Sequence, residues 1–241
     1  MKKPLLLSFL LVLSCGAVAQ ITFGVRIPAG RNTSRPGGLS NADVVAGLKE
    51  ALDNGAEQSV LHGSALDGFW KSPRIRIPFP AEAEKMKSTL VSVGMTQQVE
   101  DFERTLNRAA EEATKEALVI LRDAILGMSV GDGFAILKGG EGAATNYLSE
   151  KTGASLIERF LPIVHAANEK VALTSYWTPL ANGYNTAGLF TGAKAVDPDL
   201  DRYVTQKAID GLFVLIADEE ARIRKDPAAR TSDLLRRVFG K

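Results

Sequence analysis

Cysteine is nearly missing from this 241-residue chain, which holds one, Cys15, so no disulfide can form within it. A domain of this size must then be held by its apolar core, and a 45% hydrophobic content is ample to build one. Histidine is almost as scarce: His62 and His165 stand far apart without a ligand pattern, so a zinc site would need unusual ligands. No Gly-x-Ser-x-Gly elbow occurs, which leaves a histidine-based triad without a recognisable nucleophile. Gly139-Gly140-Glu141-Gly142 lacks the lysine and spacing of a phosphate loop and reads as a helix-to-helix turn rather than an anion cradle. Excess charge is missing too, since 29 Lys and Arg face 28 Asp and Glu. That balance gives no electrostatic footprint for nucleic acid. The longest apolar run falls short of the ~20 residues that span a bilayer, so no transmembrane segment is expected.

That run belongs to an N-terminus of a familiar kind. Lys2 and Lys3 form a basic start, Pro4 to Leu13 is apolar, and Ala17-Val18-Ala19 is a small-residue cleavage site before Gln20. Residues 1–19 are therefore expected to be a signal peptide, and the protein to be exported to the periplasm or envelope of a bacterium. Removing Lys2 and Lys3 leaves 27 basic against 28 acidic residues, a formal charge of −1. A second processing route competes, because Cys15 after Val12-Leu13-Ser14 resembles a lipoprotein box whose cysteine is lipidated. Leu13 departs from that pattern, and cleavage after Ala19 is the better match. If Cys15 carried a lipid anchor, the Pro- and Gly-rich stretch 20–39, read as a flexible leader, would serve as a tether of up to ~65 Å.

Residues 40–241 read as a single all-α domain of about seven or eight helices. Ser40 with Asp43 and Ser129 with Asp132 match capping boxes. The first helix is predicted over about 41–62, a second from Pro80 to Gly94, and a long third from Thr96 to Leu126. A short helix stops at Gly139-Gly140, and Ala143 to about Val171 is helical with breaks or kinks at Gly153 and Pro162. Asn182 to Pro198, with Gly183, Gly188 and Gly192, reads as a long loop. Leu200 to Lys225 is the strongest helix, and Asp226-Pro227 opens a short last one to Phe239. One non-helical element stands out, an extended strip at residues 73–79 in which Arg74-Ile75-Arg76-Ile77 alternates between three prolines.

The segments LSNADVVAGLKEAL at 39–52, RIPFP at 76–80, FERTLNRAAEEA at 102–113, DRYVTQKAIDGLFVLIADEE at 201–220 and DPAART at 226–231 together resemble the exported bacterial family catalogued as domain of unknown function 4197. The resemblance covers roughly 39–240. It implies a mainly helical single domain, and it implies no activity, no cofactor and no set of site residues.

Candidate chemistry rests on uneven placement of acids. On the third helix, Val99, Phe102, Leu106, Ala109 and Ala113 define the core face, while Glu103, Asn107 and Glu111 form a second stripe that runs on into apolar Leu118, Leu121 and Ile125. Carboxylates at the rim of a core need a cation, a metal or hydrogen-bond donors, so the stripe is either a carboxylate-lined site or a solvated face paired with arginines. Ala208 to Ala217 is apolar nearly all round with Asp210 as its sole charge, and Gly211 beside it suggests close approach of another helix. A hydrolase would use Glu103 or Asp210 as general base with Asn107 orienting. Trp70, Ile77 and Phe79 are candidates for an apolar groove that takes a lipid or peptide. The leading reading is an exported binding or scaffold module without a cofactor, whose partner is an unidentified protein, peptide or lipid.

Overall fold

Both Ser-Asp pairs start helices as expected. Ser40 Oγ accepts the Asp43 amide at 3.1 Å while the Asp43 carboxylate accepts the Ser40 amide at 3.0 Å, and Ser129 with Asp132 repeats the arrangement at the same distances. Each box satisfies two backbone donors that a helix start leaves open. The structure, a computed structural model, describes residues 40–169, 172–191, 195–230 and 232–239. The expected signal peptide, Cys15 and the expected leader lie outside these residues.

Among the described residues there are nine α-helices: α1 Asn41–Ser64, α2 Glu84–Ser92, α3 Thr96–Thr114, α4 Ala117–Leu126, α5 Val130–Lys138, α6 Ala143–Asn168, α7 Ala172–Thr191, α8 Leu200–Lys225 and α9 Asp233–Phe239. The fold is all-α. Helix α8 packs against α1, α3 and α6, and α3 also packs against α6, so these four helices enclose the main core. Leu48, Phe102, Leu106, Leu148, Leu156, Phe160 and Leu212 are fully buried there. A second, small core of Ala51, Ile223, Ala229 and Leu235 seats α9.

Five expectations need correction, the first being the last helix: Asp226-Pro227 opens only a short 3-10 turn, Pro227–Ala229, and α9 starts separately at Asp233. The extended strip at 73–79 is not a strand, and no strand occurs among the described residues; its alternation is nonetheless real, because Ile75, Ile77 and Phe79 are buried while Arg74, Arg76 and Pro78 are exposed. The predicted long helix to Leu126 is two helices. Thr114 Oγ1 turns back to the Ala110 carbonyl at 2.7 Å, and the amides of Lys115 and Glu116 bond three residues back rather than four. That tightening shifts the helical phase, so Ala117, Leu121 and Ile125 are the buried positions of α4 while Ile120 and Ala124 are only partly buried. Gly153 and Pro162 do not break α6, which is continuous over 26 residues. The predicted loop 182–198 is helical as far as Thr191. Each helix-interior glycine costs about 1 kcal/mol, which burial of Trp177 and Ala181 against the core offsets.

Gly211 is required where it stands. A Cβ there would lie 2.6 Å from Phe69 Cε1 and 3.2 Å from Ile75 Cβ. The close approach foreseen at this glycine is therefore made by the segment that follows α1, not by a helix.

Candidate functional site

That segment, residues 65–80, crosses the molecule as a strap and is held to α3 by the very stripe singled out in the sequence. Asn107, fully buried, accepts the Ile77 amide on Oδ1 at 2.8 Å and donates from Nδ2 to the Ile77 carbonyl at 2.8 Å. One side-chain amide thus completes the two backbone bonds that a neighbouring β-strand would otherwise make. Glu111, 4% exposed, accepts the amides of Phe69 and Trp70 at 3.1 and 3.2 Å and is paired with Arg108 at 2.5 Å. Arg108 reaches on to Asp67 at 2.6 Å, a residue held at a left-handed φ of 68°. Lys71 and then Arg108 beside it keep the Asp67 carboxyl below the usual range.

Glu103, 6% exposed, is bracketed by Arg76 and Lys87, each at 2.7 Å. Burial of a carboxylate is tolerable only with such partners, since removal of one leaves an uncompensated charge worth several kcal/mol. Arg76 also lies 4.0 Å over the Trp70 ring, and Arg104 approaches the same ring at 5.6 Å. At the far end Tyr203 of α8 donates to the Pro78 carbonyl at 3.1 Å; burial, and after it the carboxylates Glu82, Glu103 and Glu84, push its phenol up to about 12. Arg74 pairs with Asp218.

Asp210 does not join this set. It is exposed, accepts from Gln206 at 2.9 Å, and stands with Gly153 and Ile157 in a shallow groove between α6 and α8. Glu103, Asn107 and Glu111 are brought together under the strap, each with structural partners, while Asp210 shares none of them among the described residues. The apolar groove is corrected as well. Ile77 and Phe79 are each 1% exposed, and Phe79 packs on Phe102 and Trp177 with ring centroids 5.1 and 5.7 Å apart, so both belong to the core. Trp70 is half-buried beneath its arginines.

Sequence reasoning missed Glu220. Its carboxylate, 7% exposed, accepts the amides of Ala144 and Thr145 at 3.2 and 3.0 Å and the Thr145 hydroxyl at 2.8 Å, and Arg224 donates to it at 2.9 Å. The start of α6 thus does hold an anion, and the anion is a side chain of α8. The available signal was a vacancy: Gly142, the N-cap, has φ 83° and no side chain to cap with. The apolar hollow beside it, under Phe239, holds about 20 Å³, room for little more than one water.

The larger opening lies elsewhere. A cleft of about 490 Å³ forms where the end of α6, α7 and the start of α8 meet, lined by His165, Asn168, Trp177, Thr178, Asp199 and Asp201 among others. His165 is exposed. Its Nδ1 lies 2.6 Å from Asp201 and its Nε2 3.4 Å from Glu169, and Asn168 donates to the other Asp201 oxygen at 2.7 Å. The hydrogen bond to Asp201, and after it the charges of Asp201 and Glu169, hold the imidazole above its usual range. Among the described residues no group of three or more His, Cys, Asp and Glu side chains is arranged to hold a metal, and no helix is long and apolar enough to cross a membrane.

These features define an all-α domain whose irregular segment is clamped by buried polar side chains. The chain belongs to the family described as protein of unknown function (DUF4197), which matches residues 38–240. No curated protein and no solved structure matches it.

Proposed function

We propose that this protein is an exported helical module of a bacterial cell envelope that works by binding a partner rather than by catalysis. The observation that carries this reading is the commitment of Glu103, Asn107 and Glu111 to the strap: these acids and this amide are already bonded to backbone and cations, and Asp210, the other candidate base, stands apart from them on an exposed face. The cleft beside α7 falls within the ~300–1,000 Å³ range of small-ligand sites, and its mixed polar and apolar lining suits a peptide segment or a polar small molecule better than a lipid chain. Lys2, Lys3, the apolar run to Leu13 and Ala17-Val18-Ala19 support export.

Intact-mass measurement on the protein isolated from its native envelope, with co-purifying molecules identified in the same run, tests both parts. The expected result is a chain beginning at Gln20 with a ligand displaced by substitutions in the cleft. Acyl mass on Cys15 would replace the diffusing form by an anchored one. A chain still beginning at Met1 would overturn export. Hydrolytic activity that disappears in folded Glu103→Gln or Asp210→Asn protein would overturn binding as the function.

A further inference from the structure

The cleft carries a device that the strap lacks. Both ring nitrogens of His165 face carboxylates, Asp201 at 2.6 Å and Glu169 at 3.4 Å. Only an imidazolium can donate to both at once; a neutral ring donates to one and turns a lone pair toward the other. Asn168 fixes the second oxygen of Asp201 at 2.7 Å, so a neutral ring protonated on Nδ1 still donates to Asp201 but loses the charge of that pair and turns its Nε2 lone pair toward Glu169. The surrounding backbone favours the charged pair, since His165 lies in the last turn of α6 and Asp201 in the first turn of α8, the helix ends that prefer a cation and an anion.

We propose that His165 is a pH-sensitive latch on this cleft: as an imidazolium it ties the end of α6 to the start of α8, and loss of its proton slackens that junction and the 195–199 segment beside it. Among the described residues the charged groups facing it are Glu169 at the end of α6 and Asp201 from α8; Asp199 lines the same cleft and is paired with Arg202 at 3.3 Å. The α7 residues Trp177 and Thr178 that line the cleft do not titrate in this range. The Asp201 and Glu169 carboxylates hold its proton to higher pH than that of a free imidazole. The sign follows. The stabilisation is complete below the ordinary value of 6.5 and is lost as pH rises through the elevated one.

The segment 195–199 is the reporter, because its Val196 amide donates to Asn185 Oδ1 at 2.7 Å and its Asp199 amide to Asp197 Oδ1 at 2.8 Å, while Trp177 and Thr178 hold the Asp197 and Pro198 carbonyls, so the protection of these amides senses the junction. The latch belongs to the fold and holds whatever the cleft takes up. Native-state hydrogen exchange on the full chain at pH 5.5 and pH 8.5, expressed as protection factors, is the test. Protection over 195–203 is expected to fall roughly 2- to 5-fold at the higher pH, as the loss of one partly exposed charge pair implies. Its midpoint should coincide with the His165 ring titration by NMR, which one variant assigns because the chain has two histidines. His165→Gln should abolish the pH dependence, and Glu169→Gln should reduce it while leaving the fold intact. Unchanged protection in the wild type, an equal fall in His165→Gln, or a His165 titration at or below 6.5 would each overturn the latch.

Discussion

The same device holds two parts of this molecule with unequal strength. Asn107 clamps Ile77 by accepting its amide and donating to its carbonyl, and Asn185 of α7 does the same for Val196, with both bonds at 2.7 Å. In each case a β-branched residue in an irregular segment has its backbone satisfied by an asparagine instead of a strand. The surroundings differ. Asn107 sits in the middle of α3, between Glu103 and Glu111, and it, both acids and Ile77 are buried. Asn185 is part-buried near the end of a helix whose described residues Trp177 and Ala181 are buried in the core, with Tyr184 packed against it. A hydrogen bond stabilises most where its loss would strand groups that water cannot reach. The strap is therefore part of the structural core, and the α7 segment is the part free to respond.

The most damaging way to break the comparison is Asn107→Leu. It leaves the Ile77 amide and carbonyl unsatisfied in a dry site, with an expected loss of roughly 2–5 kcal/mol in urea unfolding. Gly211→Ala attacks the same strap from α8, where the added methyl meets the Phe69 ring. A net loss of roughly 1–3 kcal/mol is expected, and Phe69→Leu in the same chain should recover part of it. Asn185→Leu removes bonds of nearly the same geometry, yet a loss of only roughly 1 kcal/mol is expected, seen as faster hydrogen exchange over 195–199 with little change in the global unfolding midpoint.

The smallest effect lies outside both clamps. The Ser40 and Ser129 hydroxyls, and after them the serine amides, hold Asp43 and Asp132 below the usual aspartate value. Their caps are fully formed above about pH 3.9 and are lost as pH falls through the lowered values. NMR titration of the Ser40 and Ser129 amides should give midpoints below about 3.9; midpoints at or above it would show that the boxes do not form in solution.

Much of this was legible in the sequence, and the reasons are local. Capping boxes, the apolar periodicity of α3 and the phase of Ile75, Ile77 and Phe79 are written in residues a few positions apart, and all are found in the fold. The stripe Glu103-Asn107-Glu111 was also visible, together with its need for donors or cations. What the sequence did not reveal is which donors, because Phe69, Trp70 and Ile77 lie 30 to 42 residues away and the pairing is tertiary. For the same reason the strip at 73–79 read as a strand: its alternation was correct, but its partner is a side chain. The helix through Gly183 and Gly188 was missed because propensity argued for a loop and the docking of Trp177 outweighs it. The Glu220 cap lies 75 residues from the helix it starts, beyond any local pattern.

The central claim is that the buried polar stripe of α3 exists to hold the strap. Native-state hydrogen exchange at the Ile77 amide, compared between the wild type and Asn107→Leu, tests it most directly. The wild-type amide should exchange only through global unfolding, and in the variant through a local opening of far lower free energy. Rapid exchange of Ile77 in the wild type, or equal protection in the two proteins, would contradict the account.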